Sequence, residues 1–149
     1  MSTLISPTFT GYNHLHIVFN IKGWSAFATQ GIYFNGDQGN NYSSQEGVVA
    51  PGGAMTYWGQ AASQAFADVG YQIATTSPGV INMDIVDFAT SKKFFTTSGA
   101  FSSNAGIPSI LTGSGVWNNT SNQITQFTYI VNSGATMTAG SNISVYGYN

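Results

Sequence analysis

Apolar and polar residues alternate in several short stretches of this chain. Between Tyr12 and Phe19, the side chains of Leu15, Ile17 and Phe19 fall on one face and the intervening residues on the other. This two-residue period is that of a β-strand with one face in a core. The same pattern, with β-branched and aromatic residues, predicts further strands at 31–34, 69–73, 81–85, 94–95, 123–131 and 142–148.

Residues that favour turns separate these stretches. Asn35-Gly36 directly follows a predicted strand, and this dipeptide accepts the positive φ angles of a tight turn. The side chains of Asp37 and Asn40 can then bond to the backbone of their own loop. We therefore predict a structural turn built by Asn35, Gly36, Asp37 and Asn40.

Two segments lack a clear strand pattern. The stretch from 36 to 53 is rich in Gly, Asn and Ser, which predicts a long surface loop. The Ala-rich segment 61–67 predicts one short helical turn, too short to be a major element.

The order of these elements indicates the fold class. Short strands separated by turns are typical of sandwiches and barrels, whereas βαβ folds alternate strands with long helices. The chain has 149 residues, with no composition break and no internal repeat. We therefore predict one all-β domain over residues 1–149, an antiparallel β-sandwich in which residues 1–11 form an N-terminal arm.

Charged residues are rare, and this narrows the possible functions. They make up 5 % of the chain, with three lysines and no arginine, whereas ordinary domains carry about 25 %. Nucleic-acid binding needs basic residues, and a membrane span needs about 20 apolar residues, so we expect neither partner. A nearly neutral surface favours packing against other subunits, with an extracellular or high-salt setting as the alternative.

Candidate catalytic and metal-binding residues are few. His14 and His16 share one strand face, but zinc needs three or four ligands. Asp37 lies among asparagines that offer oxygen ligands for calcium, although no bidentate Glu closes the loop. Asp84 and Asp87 are three residues apart, so on a strand they point to opposite faces. We expect no enzyme, no metal and no cofactor, and place the histidines on a solvent-facing or interface surface.

The large aromatic residues offer candidate contacts. Trp24 and Trp58 lie in Gly-rich segments, and Tyr146 lies in the last predicted strand. Burial in an interface and stacking on a sugar both explain such residues. We therefore predict that Trp24, Trp58 and Tyr146 contact a partner, together with His14 and His16, and expect Trp117 to be packed.

Three motifs occur in a fixed order along the chain. The first couples residues 12–17 to the segment I-Y-F-N-G-D-Q-G-N-N-Y at 32–42; the second is G-V-W at 115–117, followed by Ile124-Thr125. The third is A-G-S-N-I-S-V-Y-G at 139–147. In this combination the chain resembles a widespread group of structural proteins of tailed bacteriophages.

The resemblance carries implications for fold and function. It implies a jelly-roll-like sandwich located in the virion, and it favours a capsid decoration or cement protein on the capsid surface. Such a protein binds between subunits of the major capsid protein, and closed rings of jelly rolls favour a homotrimer. The alternative is a carbohydrate-binding or receptor-binding module of a phage tail or fibre.

Overall fold

In the part of the chain that the structure describes, eleven strands form two antiparallel sheets. The structure is a computed structural model, and it describes residues 2–26, 28–49, 52–72, 78–102, 108–131 and 134–149, without the side chains of 2, 58, 60–63, 71 and 72. The strands are β1 (Ser2–Ile5), β2 (His14–Ile21), β3 (Ala28–Phe34), β4 (Tyr42–Val49), β5 (Met55–Gln64), β6 (Ala67–Gln72), β7 (Gly79–Val86), β8 (Lys93–Ser102), β9 (Pro108–Trp117), β10 (Phe127–Val131) and β11 (Asn142–Tyr148).

The two sheets differ in size. The smaller sheet has the order β1-β10-β3-β6, and the larger one has the order β11-β2-β7-β8-β9-β4-β5. The prediction of an all-β antiparallel sandwich is confirmed. Residues 2–5, within the predicted N-terminal arm, form the edge strand β1 and pair with β10. No helix in the described residues is long and apolar enough to cross a membrane.

The core lies between the sheets, where the alternating residues of the larger sheet meet the smaller one. Leu15, Ile17 and Phe19 on β2 are buried, as their two-residue period predicts. In the centre, the ring of Phe19 lies 5.2 Å from that of Tyr129 on β10. Every residue of β10 is buried.

Two predicted elements are wrong. The predicted loop over 36–53 contains β4, which pairs with both β9 and β5. Its inward-facing residues include Ser44 and Glu46, so the buried face of this strand lacks the apolar period that marks the others. The Ala-rich segment forms no helical turn, because β5 continues to Gln64 and β6 begins at Ala67.

A buried aspartate and a buried lysine lie near the end of the sandwich where β7 ends and β8 begins. The side chains of Asp87 and Lys93 are both fully buried. Asp87 accepts a hydrogen bond from the Ile124 N–H at 2.7 Å, and Lys93 Nζ donates to the carbonyl oxygens of Ser91 and Asn119 at 2.7 and 3.1 Å. Burial raises the pKa of Asp87 and lowers that of Lys93, and the attraction between them opposes both shifts.

Glu46 is a second buried acid. It projects inward from β4 and is 5 % exposed. Its Oε2 atom has no hydrogen-bond partner among the described residues. Burial, and to a smaller extent the nearby Asp68, raise the pKa of Glu46 from 4.5 to about 7.

We expect Glu46 to make the stability of the protein depend on pH. The folded protein holds the Glu46 proton up to a pH of about 7, whereas the unfolded chain releases it near 4.5. The free energy of unfolding should therefore fall by up to about 3 kcal/mol as the pH rises through this window. Urea unfolding at several pH values between these limits measures this fall, and Glu46→Gln should remove most of it. An equal fall in both proteins would contradict the assignment.

Gly115 is one of the glycines at which the structure leaves no room for a side chain. A Cβ atom on Gly115 would collide with the ring of buried Phe95 and would lie 2.6 Å from the Ser43 carbonyl oxygen. We therefore expect Gly115→Ala to lower the free energy of unfolding by about 1–3 kcal/mol. Gly59→Ala is the matched control, since its Cβ would come no closer than 3.8 Å, to Gln45 Cγ. Equal stability of the two variants in urea unfolding would show that Phe95 does not occupy this place.

Candidate binding surface

The first and second sequence motifs meet at one end of the sandwich. The backbone turns at Asn35 (φ 53°) and Gly36 (φ 72°), and the Asp37 N–H closes the turn on the Phe34 carbonyl at 2.9 Å. The side-chain oxygen of Asn35 accepts hydrogen bonds from the N–H groups of Thr125 and Gln126 at 2.8 and 3.1 Å. This turn therefore ties β3 to the segment that leads into β10.

Asp37 joins the turn to the second motif. Its Oδ2 accepts a hydrogen bond from Trp117 Nε1 at 2.7 Å and one from Asn41 Nδ2 at 2.9 Å, and its Oδ1 accepts one from the Gly39 N–H at 2.9 Å. Burial raises the pKa of Asp37, but these hydrogen bonds together outweigh it and hold the pKa below its usual value. Asn40 is exposed beside this network. Both carboxylate oxygens of Asp37 thus accept hydrogen bonds that hold the loop to Trp117, which is fully buried.

The described residues contain no group of three or more His, Cys, Asp or Glu that could hold a metal ion. His14 and His16 lie on the outer face of the larger sheet, each beside a different neighbour. His16 Nδ1 lies 2.7 Å from Asp84 Oδ1, on β7. The ring of His14 stacks on Tyr148 at 5.8 Å, with 7° between the planes.

The predicted contact residues separate into three groups. His14, His16 and Tyr146 share the outer face of the larger sheet, where Tyr146 is 56 % exposed. Trp24 was predicted to contact a partner, and this is wrong: it is 2 % exposed because its ring belongs to the core. The backbone of Trp58 lies in β5, and its side chain is outside the described residues. Asp87 directly follows the end of β7, and its side chain is buried, as described above.

Strand register arranges the outer face of the larger sheet into rows that run across the strands. The polar row contains Gln45, Ser114, Thr96, Asp84 and His16, followed by Tyr146 on β11. The apolar row lies two residues further along each strand and contains Val116, Phe94, Val86, His14 and Tyr148. Because side chains two apart on a strand share a face, the two rows lie side by side.

A groove with a volume of about 690 Å³ lies over these two rows, and we call it the outer groove. Phe94 (60 % exposed) and Tyr148 (49 % exposed) present aromatic rings there. Asp84 is the one carboxylate that lines it, and none of the lysines does. The outer groove therefore combines apolar surface with neutral hydrogen-bonding groups.

A second region of the same face is almost purely apolar, and we call it the apolar corner. It lies toward the opposite ends of the strands, next to the edge strand β5, and consists of Val49, Met55, Tyr57, Val80, Ala100 and Ile110. Tyr57 is 73 % exposed, although its ring leans over Gly47. Ile110 is 58 % exposed.

Sequence reasoning missed most of the groove residues. Phe94 and Phe95 were identified only as part of a strand, yet adjacent residues of a strand point to opposite faces. Two neighbouring phenylalanines therefore indicate that one ring faces outward, but not which one; the structure shows that it is Phe94. No comparable signal exists for Asp84, Gln45 or Ser114, because only the register brings them together.

We expect Asp37→Ala to destabilise the protein. The substitution leaves the buried indole N–H of Trp117 without an acceptor, which should lower the free energy of unfolding by about 1–3 kcal/mol. Asn40→Ala, in the same loop, should change it by less than about 0.5 kcal/mol. Chemical unfolding followed by tryptophan fluorescence measures both. Should the two variants prove equally stable, the Asp37–Trp117 hydrogen bond is not structural.

Comparison with known proteins identifies no relative of this chain. No protein-family model, no curated protein and no solved structure matches the chain.

Proposed function

We propose that this protein is a non-catalytic structural protein of a tailed-bacteriophage virion, a capsid decoration or cement protein. Copies associate through the apolar corner into a homotrimer, and the trimer binds between subunits of the major capsid protein on the capsid surface. The observation that carries the proposal is the concentration of exposed apolar side chains on one face of the larger sheet.

The exposed apolar side chains are unevenly distributed. Of the eleven large ones in the described residues, eight project from the outer face of the larger sheet: Met55, Tyr57, Val80, Val86, Phe94, Ile110, Tyr146 and Tyr148. Full burial of one such side chain contributes roughly 1.5–3 kcal/mol. Four of the eight, Met55, Tyr57, Val80 and Ile110, lie together in the apolar corner, and an exposed apolar patch of this kind marks interaction sites in soluble proteins.

The edge of the sheet supports association with another copy. The strand β5 ends the larger sheet, and within the described residues its outer edge pairs with no strand. A free edge presents backbone N–H and C=O groups that another chain can bind. Met55 and Tyr57 of the apolar corner lie on this same strand, so one neighbouring copy can satisfy both the edge and the apolar side chains. Three copies related by a rotation close the ring and leave no open contact.

The distribution of charge is consistent with this mode of association. Glu46, Asp87 and Lys93 are buried within the sandwich. No charged residue belongs to the apolar corner, so its contacts rest on apolar burial and hydrogen bonds. Salt screens exposed ion pairs but has little effect on such contacts.

The sequence motifs support the location in a virion. Residues of the first motif bind those of the second through Asp37 and Trp117, and the third motif forms the edge strand β11. The resemblance to phage structural proteins therefore involves residues that build the fold together. The alternative, a carbohydrate-binding or receptor-binding module of a tail or fibre, draws support from the outer groove.

The test is to restore particles that lack the protein. Phage heads assembled without it should release DNA at a lower temperature than complete heads, and added purified protein should restore their heat resistance. Tyr57→Ser combined with Ile110→Ser should prevent both restoration and trimer formation in analytical ultracentrifugation, because it removes apolar area from the corner. Phe94→Ala, an exposed position outside the corner, is the matched control and should behave as the unmodified protein.

Two outcomes would contradict the proposal. One is antibody labelling confined to the tail, with the heat resistance of the heads unchanged. The other is a trimer that dissociates steeply as sodium chloride is added, since that would require ion pairs at the interface.

A further inference from the structure

The outer groove has an apolar side and a polar side, whereas the apolar corner is apolar throughout. Along one side, Phe94, Val86 and Tyr148 present rings and methyl groups. Along the other side, Gln45, Ser114 and Thr96 present an amide and two hydroxyls, and no hydrogen bond within the described residues occupies these side chains. Exposed apolar and unpaired polar groups therefore lie next to each other across several strands.

The length of the groove limits the size of its ligand. The paired rows extend from β9 across β8, β7 and β2 to β11. Neighbouring strands lie about 4.8 Å apart, so these five strands span about 19 Å, enough for a chain of roughly three or four six-membered sugar rings.

The geometry points to a binding site for a neutral linear oligosaccharide in the outer groove. A sugar ring has a face of C–H groups and a rim of hydroxyl groups. The C–H faces pack on the apolar row, as apolar surface packs on aromatic rings. The hydroxyl rims bond to the polar row, where Asp84, already bonded to His16, accepts and Gln45 both donates and accepts. This site goes beyond the proposed structural function and does not depend on it.

The charge of the groove favours a neutral sugar over an acidic one. Asp84 is the one charged residue that lines it, and its carboxylate repels acidic sugars. An acidic glycan would need arginine or lysine as a partner. The chain has no arginine, and none of its three lysines lines the groove.

An extended peptide fits the groove less well than a sugar. The strands under the groove between β2 and β9 are paired on both sides, so their backbone groups are not available to a peptide. A peptide lying across them would bury amides without partners, which costs free energy. Sugar hydroxyls need only the side chains that the polar row already presents.

The experiment is a binding measurement on the intact protein. An array of neutral and acidic glycans of defined sequence identifies the ligand, and titration calorimetry with the best neutral oligosaccharide measures its affinity. Phe94→Ala and Tyr148→Ala should each weaken binding roughly tenfold, because each removes an exposed ring from the apolar row. Ile5→Ala, at an exposed apolar residue of β1 in the smaller sheet, is the control and should leave the affinity unchanged. Gln45→Ala should also weaken binding, and Gln45→Glu should not improve it.

Three results would overturn the site: binding of acidic glycans only, no binding of any neutral glycan at millimolar concentration, or binding that Phe94→Ala and Tyr148→Ala leave unchanged. None of these results affects trimer formation or the heat resistance of phage heads. The failure of the sugar site and the failure of the structural function are therefore separate observations.

Discussion

The constraint on which this structure depends is that a sheet of four strands must cover a sheet of seven strands. Strands such as β2, β7 and β8 of the larger sheet turn one face toward the core, but the smaller sheet does not fully cover the β11 edge. At the edge strand β11, Ile143 and Val145 are only partly buried against the core. The segment before β2 covers part of this gap, with Phe9 packed against the core and the ring of Tyr12 against Gly147. On the other side, the larger sheet has no covering layer in the described residues, so its outer face is open to binding.

Several of the few charged side chains are held inside the fold. The side chains of Asp87 and Lys93 lie inside the sandwich, and that of Glu46 points inward from β4. Asp37 is held by hydrogen bonds to Trp117 and its own loop. With these groups committed to the fold, the exposed surface is covered mainly by hydroxyls, amides and apolar side chains. Such a surface neither attracts phosphates nor repels its own copies, which suits close packing in an assembly.

The sequence predicted the parts of the fold that depend on a local period, and missed those that depend on partners. Leu15, Ile17 and Phe19 alternate and are buried, so β2 was predictable. The strand β4 was not, because Ser44 and Glu46 occupy its buried face and only its neighbours β5 and β9 make it a strand. For the site, the shared face of His14 and His16 follows from their spacing. Their neighbours Asp84 and Tyr148 lie on strands that are far from β2 in the sequence but next to it in the sheet. The sequence alone does not give the register that brings them together.

On the central strands the outer groove and the apolar corner lie at opposite ends, whereas at β4 they adjoin, since Gln45 of the groove is two residues from Gly47, the cross-strand partner of Tyr57. On β7, Val80 belongs to the corner and Val86 to the groove, and six residues of strand separate them by about 20 Å. A trimer that closes at the β5 edge would therefore leave the part of the groove at β7, β2 and β11 exposed in every copy. A single shallow groove binds sugar weakly, because it buries little of the ligand. In the proposed assembly, several grooves would bind a repeating surface glycan together, with a combined affinity well above that of one groove. A sugar site too weak to act alone would thus be useful in the proposed assembly, because its copies would act together.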